Sequence, residues 1–526
     1  MTNDQDTRRR SLPFYLVLSF IEGGAAMAAE LLGARMIAPF YGTTLFVWSS
    51  VIGVTLAALA LGYFLGGYLA DRYTRNMLLF SVLAVGSVLL ALMPNLAKFS
   101  LEATSGMGIR TGSLVSALVF LLPPLVCLGM SSPIIIRLAS RDLQHTGRTA
   151  GTVYAVSTVS GILATFLLGF YVIPLWGITM PAYYAAVLLG IFPFGYFIRS
   201  RRFAFALAMI ILFSIPALAS TVENKSQNQS EWKILYKSDG LLGQVIVGDL
   251  QRMEKDSLRH QRTLFLNRQP QTDVNAKNGF SLWPYVHADA VTASIKPRGS
   301  KALILGLGGG SVVDEFLRLG FEVDACELDE RIVDVAKTFF NLDKKCRIVV
   351  DDARHYVRTS HAKYDIIVFD IYNGEQPPAH LLSVENFSEV KRMLNNDGLV
   401  IIDFPGFITG EAGLASRSVI RTMISSGFHT KVIATPGREE NRNLIFVGSV
   451  APLDFSRMTR ERQNVCCTVP VPLPCLDGEA IDLSDALVLT DDKAMMDILS
   501  LSASESWRKL VVRGSSKAFH GYQVFF

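Results

Sequence analysis

Lys301-Ala-Leu-Ile-Leu-Gly306-Leu-Gly308-Gly309-Gly310-Ser311 opens the stretch that decides the fold; Val312-Val-Asp-Glu-Phe-Leu-Arg-Leu319 and Phe321-Glu-Val-Asp-Ala-Cys-Glu327-Leu-Asp329 follow it. Residues 301–305 are a short apolar run suited to a buried parallel strand. A glycine turn comes next, then a helical pattern, then a second strand ending in acids. Glu327 lies 21 residues past Gly306. Strand, glycine turn, helix, strand and terminal acid make a nucleoside-binding βαβ unit. Small residues let the backbone approach the ligand, and a carboxylate accepts both ribose hydroxyls. A lone glycine-rich loop is a weak signal; the spaced acid and the strands after it strengthen it.

Those later strands repeat the pattern. Cys346-Arg-Ile-Val-Val-Asp351-Asp352-Ala353-Arg354 reads as a strand ending in acid, where a carboxylate can accept the adenine amino group. Tyr364-Asp-Ile-Ile-Val-Phe-Asp370 is a fourth strand, and Leu399-Val-Ile-Ile-Asp-Phe404 a fifth. Carboxylates at successive strand ends line one rim of an open sheet, where ligands bind. Taken alone, each Asp also reads as the N-cap of the helix after its strand. A dinucleotide needs helix N–H groups free for a pyrophosphate; the rim acids suit an S-adenosyl group better. The expected C-terminal fold is therefore an α/β doubly wound, Rossmann-like, S-adenosyl-binding domain.

The other half of the chain differs in composition. The 526 residues carry 50 Lys and Arg and 46 Asp and Glu. Residues 1–220 hold 14 of the basic and 7 of the acidic residues, which leaves 36 and 39 for the rest. The mean hydropathy of +0.33 is high for a soluble enzyme of this length and points to membrane spans. With half the residues apolar, a disordered chain, a collagen and a coiled coil are excluded. The small net charge of +4 gives no reason to expect nucleic acid, and six Cys make no disulfide framework.

Seven apolar runs approach the ~20 residues a span needs: residues 14–38, 45–70, 77–97, 113–137, 150–174, 180–198 and, the shortest, 203–219. The expected organisation is a transmembrane helical domain of about seven spans over 1–220, a linker over 221–231, a small β hairpin subdomain over 232–290, the S-adenosyl-binding domain over 291–500 and a tail over 501–526. Arg8–Arg10, Arg72 and Arg75, Arg137 to Arg148, and Arg199 to Arg202 place the N-terminus and every even loop in the cytoplasm. The expected location is the bacterial cytoplasmic (inner) membrane, multi-pass, with the lipid bilayer as a partner. Seven spans put the soluble half outside, whereas S-adenosyl compounds are made inside; the polar flank after residue 219 leans the reading towards outside.

Glu22, Glu30 and Arg35 sit in the first run. They read either as a proton or substrate path or as an interhelical ion pair near the membrane edge. Gly62-Tyr-Phe-Leu-Gly66 allows close helix packing. Residues 62–79 resemble the loop between spans 2 and 3 of major facilitator transporters, yet those have about twelve spans in two halves, and no second copy of the motif is present.

Residues of about 235–495 resemble the spermidine synthase (polyamine aminopropyltransferase) family. Gly243-Gln244-Val-Ile-Val is similar to its opening hairpin, and Leu264-Phe-Leu-Asn267-Arg-Gln-Pro-Gln271 to its Leu-x-Leu-Asp-Gly-x-x-Gln. The glycine loop, Glu327, Asp352-Ala353 and Asp370 follow in family order. Leu489-Thr490-Asp491-Asp492 and residues 30–79 resemble membrane-fused relatives. The resemblance implies an S-adenosyl cosubstrate, decarboxylated or not, held by Gln244, Gly306, Gly308, Gly310, Glu327, Asp352 and Ala353. It implies a small-molecule amine or other nucleophile as acceptor, and leaves a homodimer open. Asp370 would take or orient the amine proton, and Tyr372 could add a hydroxyl.

Departures from the family pattern fall on the amine side. Gly309 stands where the family has an Asp. Leu282 and Pro284 replace a Tyr and a Glu, and Asp370-Ile-Tyr372-Asn373-Gly374 keeps one Asp of the catalytic word. A polycation is therefore expected to bind weakly. His380 is a further candidate base, with a plain loop residue as the favoured reading. Cys466, Cys467 and Cys475 lack metal-ligand spacing, so no metal is expected. The expected function is a membrane-bound aminopropyl transferase; S-adenosylmethionine-dependent methyl transfer and a non-catalytic transport or sensor protein are the alternatives.

Overall fold

A computed structural model describes residues 12–73, 75–140, 146–214, 232–240, 242–254, 257–342, 346–372, 377–455, 475–493 and 495–507. The chain divides into two compact units. One holds the helices of the N-terminal half and residues 238–244; the other holds residues 232–237 and the described residues from Val245 to 507.

In the first unit six helices are long and apolar enough to cross a membrane: Leu12–Tyr41, Leu45–Arg72, Asn76–Thr104, Leu122–Ala139, Thr146–Trp176 and Thr179–Arg199. The expected count was seven. The seventh run is helical over Phe203–Ser214, and residues 215–219 lie outside the described ones. The fourth run is not one helix: it divides into Ile109–Phe120 and Leu122–Ala139. Pro123 and Pro124 cause the break, because neither has an N–H for the carbonyls one turn back. The small residues of the second helix act as read. A Cβ on Gly62 would lie 2.5 Å from the carbonyl oxygen of Val126, and one on Gly66 would meet that of Met130. Any side chain there would push helix Leu122–Ala139 away.

The chain after the helices of the first unit carries two sheets. The smaller is antiparallel, with neighbours in chain order: β1 (Trp232–Gly240), β2 (Gly243–Glu254), β3 (Ser257–Leu266) and β4 (Gln269–Asn275). It has four strands where a hairpin was expected. Asn267 and Arg268 turn β3 into β4 with φ of 49° and 67°, the double positive φ of a tight two-residue hairpin turn.

The larger sheet holds β5 (Lys301–Leu305), β6 (Glu322–Glu327), β7 (Arg347–Val350), β8 (Tyr364–Phe369), β9 (Leu394–Pro405), β10 (His429–Ala434), β11 (Asn443–Ser449) and β12 (Cys475–Asp477). Its order is β12-β10-β11-β9-β8-β5-β6-β7. β5 to β9 pair in parallel; β11, β10 and β12 add antiparallel edges. Alternate residues of β5 serve opposite faces. Ala302 and Ile304 join the core under helices Pro284–Ala293, Ser311–Arg318 and Glu330–Phe339. Leu303 and Leu305 join the core under Ala353–Thr359, Val384–Met393 and Leu414–Ser425. A strand buried on both faces must be apolar throughout, and burying each large side chain contributes roughly 1.5–3 kcal/mol. This is the doubly wound, Rossmann-like fold expected. The order reverses at β5, between β6 and β8, and the ends of these strands form the crevice. Residues 501–507, assigned to a tail, continue as helix.

Candidate active site

The glycine turn after β5 is shaped by its neighbours. Gly306 has φ +91°, donates its N–H to the Cys326 carbonyl at 2.8 Å, and lies against the Asp370 carbonyl, which a Cβ would strike. Gly308 has φ +53°, and a Cβ on it would lie 2.8 Å from Thr272 Oγ1. That hydroxyl accepts from the Gly309 N–H at 2.7 Å, so β4 fixes the loop. Gly310, at φ +84°, begins helix Ser311–Arg318.

Glu327 ends β6 beside this loop. Its Oε2 accepts from the Leu307 N–H at 3.0 Å and its Oε1 from the Asp329 N–H at 2.9 Å. Burial raises its pKa, and these two bonds oppose the rise. Each oxygen keeps a lone pair for a further donor. After β7, Asp352 caps helix Ala353–Thr359: its Oδ1 accepts from the His355 N–H at 3.0 Å. The plainer reading of Asp352 thus holds for one oxygen. Its own N–H goes to Asp351 Oδ1 at 2.8 Å, and Asp351 Oδ2 lies 2.7 Å from His355 Nδ1. Ala353 is buried.

Asp370 follows β8, its N–H donating to the Leu305 carbonyl at 2.9 Å. The Tyr285 hydroxyl stands 3.4 Å and 3.5 Å from its two oxygens. Burial pushes the Asp370 carboxyl up to about 7; Tyr285 opposes the rise and the Glu327 charge adds to it. Tyr372 donates to Asp403 Oδ2 at 3.1 Å rather than to Asp370.

Two acids missed in the sequence join this group. Phe369 of β8 pairs with Ile402 of β9, so register sets Asp403 beside Asp370. Asp403 also accepts from Asn443 Nδ2 at 3.1 Å, and its Oδ1 has no hydrogen-bond partner among the described residues. Asp289, on helix Pro284–Ala293, is fully buried, and neither of its oxygens has a partner among the described residues. Burial, then the charges of Asp403 and Asp370, raise its pKa well above the usual carboxylate range. Burial and the Asp370 charge do the same to Asp403. Asp289, from a helix, and Asp403, from a strand interior, thus add two buried acids to the surroundings of Asp370 that the sequence pattern did not single out. The visible signal was an Asp inside each of two apolar runs.

Other candidates lie apart. Gln244, at the start of β2, donates to Asp239 Oδ1 at 2.7 Å and groups with the other unit. His380 is exposed on the turn Ala379–Leu381. Asp491 accepts from Ser383 Oγ at 2.6 Å and from Arg354 at 2.9 Å, which ties the Leu489–Asp492 segment to two helix starts. Cys466, Cys467, Asn373 and Gly374 fall outside the described residues. Among the described residues no group of His, Cys, Asp and Glu could hold a metal ion.

Residues 288–406 match the family model described as the spermine/spermidine synthase domain. That stretch of the chain is similar to this family. A polyamine aminopropyltransferase of Vibrio vulnificus is 32% identical over 126 residues, 23% of this chain and 42% of that protein. The chain thus spans under half the length of that relative. Polyamine aminopropyltransferase 2 of Aquifex aeolicus is 22% identical over 491 residues, covering 88% of this chain and 94% of the relative. Among solved structures, spermidine synthase from Thermotoga maritima matches 51% of this chain and 87% of its own, at 18% identity and a TM-score of 0.36.

Proposed function

We propose that this chain is a membrane-bound transferase that moves an aminopropyl group from decarboxylated S-adenosylmethionine to an amine. The observation that carries the reading is Asp370, held at the switch point between the nucleoside rim and the buried acids. Glu327 would take the ribose hydroxyls with its two open lone pairs. Asp352, with one oxygen free of its capping bond, would take the adenine amino group beside Ala353. Gly306, Gly308 and Gly310 leave the space that side chains would fill. Gln244 is assigned to the same cosubstrate by resemblance alone. The amine nitrogen forms a bond to the carbon next to the sulfonium. The C–S bond breaks, its electron pair stays on sulfur as a thioether, and the nitrogen's proton passes to Asp370. Tyr372 acts through Asp403.

The acids favour this donor over its carboxylated form. Methyl donors carry an α-carboxylate, which Asp289, Asp370 and Asp403 would repel. A cationic acceptor, by contrast, relieves their mutual repulsion. The test incubates the full-length protein in detergent with each donor and a diamine. Formation of 5′-methylthioadenosine supports the reading. S-adenosylhomocysteine instead would establish methyl transfer, and neither product would favour the non-catalytic alternative.

We read the membrane half as six spans with the N-terminus in the cytoplasm of a bacterial inner membrane. An even count returns the chain to the cytoplasm at Arg199–Arg202, where S-adenosyl donors are made. Reporter fusions after Arg202 and after Ser230 check this: opposite sides would restore a seventh span.

A further inference from the structure

The membrane unit contains a polar stripe that an anchor does not need. Tyr15, Ser19 and Glu22 recur at i, i+4 and i+7 along helix Leu12–Tyr41, so they share one face. All three are buried inside the protein, at 0%, 0% and 3% exposure. The Tyr15 hydroxyl donates to Asn76 Oδ1 at 2.9 Å, and Ser19 donates to the Val153 carbonyl at 2.9 Å. Asn76 is the first residue of its helix, next to the basic loop of Arg72 and Arg75. One end of the stripe therefore lies at the cytoplasmic rim. The other end is Glu22. Ten residues separate it from Leu12, about 15 Å of helix, half of the ~30 Å hydrocarbon core.

At that depth Glu22 is short of partners. Ser132 Oγ donates to its Oε2 at 3.3 Å, and among the described residues no ion pair involves it. Ser132 sits on helix Leu122–Ala139, seven residues from the end that leads into the basic loop. A carboxylate in a helical bundle without a counter-charge is expensive; it must carry a proton or hold a mobile cation. Tyr15, Asn76 and Ser19 place successive oxygens between it and the cytoplasmic rim.

We propose that Glu22 is an intramembrane site for a monovalent cation, a proton or an alkali ion, exchanged with the cytoplasmic side along the Tyr15–Ser19 stripe. The membrane unit then has a cation-handling role of its own, independent of the transferase reading. The groups facing Glu22 from other helices are Ser131, Ser132 and Tyr63. No basic side chain is among them.

The test uses N,N′-dicyclohexylcarbodiimide on the full-length protein in oriented proteoliposomes. A protonated carboxyl adds across the N=C=N group, and the adduct rearranges to a stable N-acylurea with nothing lost. Peptide mass spectrometry is expected to find it on Glu22 and to miss it in Glu22→Gln. Raising the pH on the N-terminal face from about 6 to about 10 should slow labelling by roughly tenfold or more. If the resident cation is an alkali ion, sodium or potassium on that face should slow it likewise, with choline as the control; if it is a proton, only pH acts. No adduct at Glu22, a rate indifferent to both pH and alkali ions, or protection only from the opposite face would each overturn the proposal. Diamine turnover is not a readout here, so failure of the transferase reading leaves the result intact.

Discussion

Replacing Glu327 by Gln removes a charge and one acceptor while keeping the shape. In the proposed complex each carboxylate oxygen accepts one ribose hydroxyl and one backbone N–H. The amide nitrogen can accept neither. One charge-assisted bond to ribose is lost, about 1.5–3 kcal/mol, and the other becomes neutral and roughly half as strong. Together these amount to about 3 kcal/mol, or about a hundredfold in affinity. The unpaired N–H of Leu307 or Asp329 costs a further ~1–3 kcal/mol of stability, but it is unpaired with and without ligand and so leaves the affinity ratio alone. Glu327 also helps hold the Asp370 carboxyl up near 7. Its neutralisation should move the acid limb of the kcat/KM profile to lower pH, because Asp370 must be ionised to accept a proton. Calorimetry with 5′-methylthioadenosine and a pH series on the full-length protein read both effects. An affinity within threefold of wild type would refute the ribose assignment. An unmoved acid limb would refute the coupling between rim and base.

Asp370→Asn should abolish turnover while leaving 5′-methylthioadenosine affinity within a few fold, since the side chain faces the acceptor; near-normal turnover would move the base elsewhere. Gly308→Ala should weaken nucleoside binding and lower the melting temperature, because its φ of +53° costs an alanine about 1–2 kcal/mol and its Cβ crowds Thr272 Oγ1; unchanged melting would mean the loop relaxes freely. Asp289→Asn should raise the melting temperature at about pH 8 and weaken diamine binding. A carboxyl whose folded pKa is raised stabilises fully only below its unfolded value, and that stability is lost as pH rises through the folded one. The amide escapes this loss, so the gap between variant and wild type should close near pH 4; a less stable variant at pH 8 would refute the buried-charge cost.

The glycine loop and the acidic rim proposed to hold the nucleoside were legible because their parts are close in sequence. Gly306 and Glu327 belong to one βαβ unit, and right-handed parallel winding brings successive strand ends to one rim. Apolar runs of span length were legible for a similar reason: hydropathy is a local property. The helix break at Leu121 was not, although Pro123 and Pro124 stood in view, because helices in a bundle often absorb a proline with a kink. The four-stranded sheet was read as a hairpin because β1 has no motif of its own and exists only by pairing with β2.

The buried acids beside Asp370 were not legible in the sequence because they meet through tertiary register. Asp403 reaches Asp370, 33 residues earlier in the chain, because β9 pairs with β8 with Ile402 opposite Phe369. A one-residue slip would have turned Asp403 to the other face of the sheet. Asp289 arrives on a helix that precedes the glycine loop and packs against β9 and β11. Neither position carries a family word, so comparing motifs could report only what was absent. Burial supplies the information the motifs lack. An Asp with no partner for either oxygen destabilises the fold unless it is protonated or something positive fills the space beside it. Three buried carboxyls around one crevice, Asp289, Asp370 and Asp403, cannot all ionise together in the free protein. Binding a protonated amine should therefore release protons, with the measured enthalpy scaling with the ionisation enthalpy of the buffer. A neutral acceptor would leave the protons in place. Titrating a diamine in two buffers of different ionisation enthalpy thus tests the cationic acceptor without requiring turnover, and identical enthalpies in both would remove the charge argument for an amine.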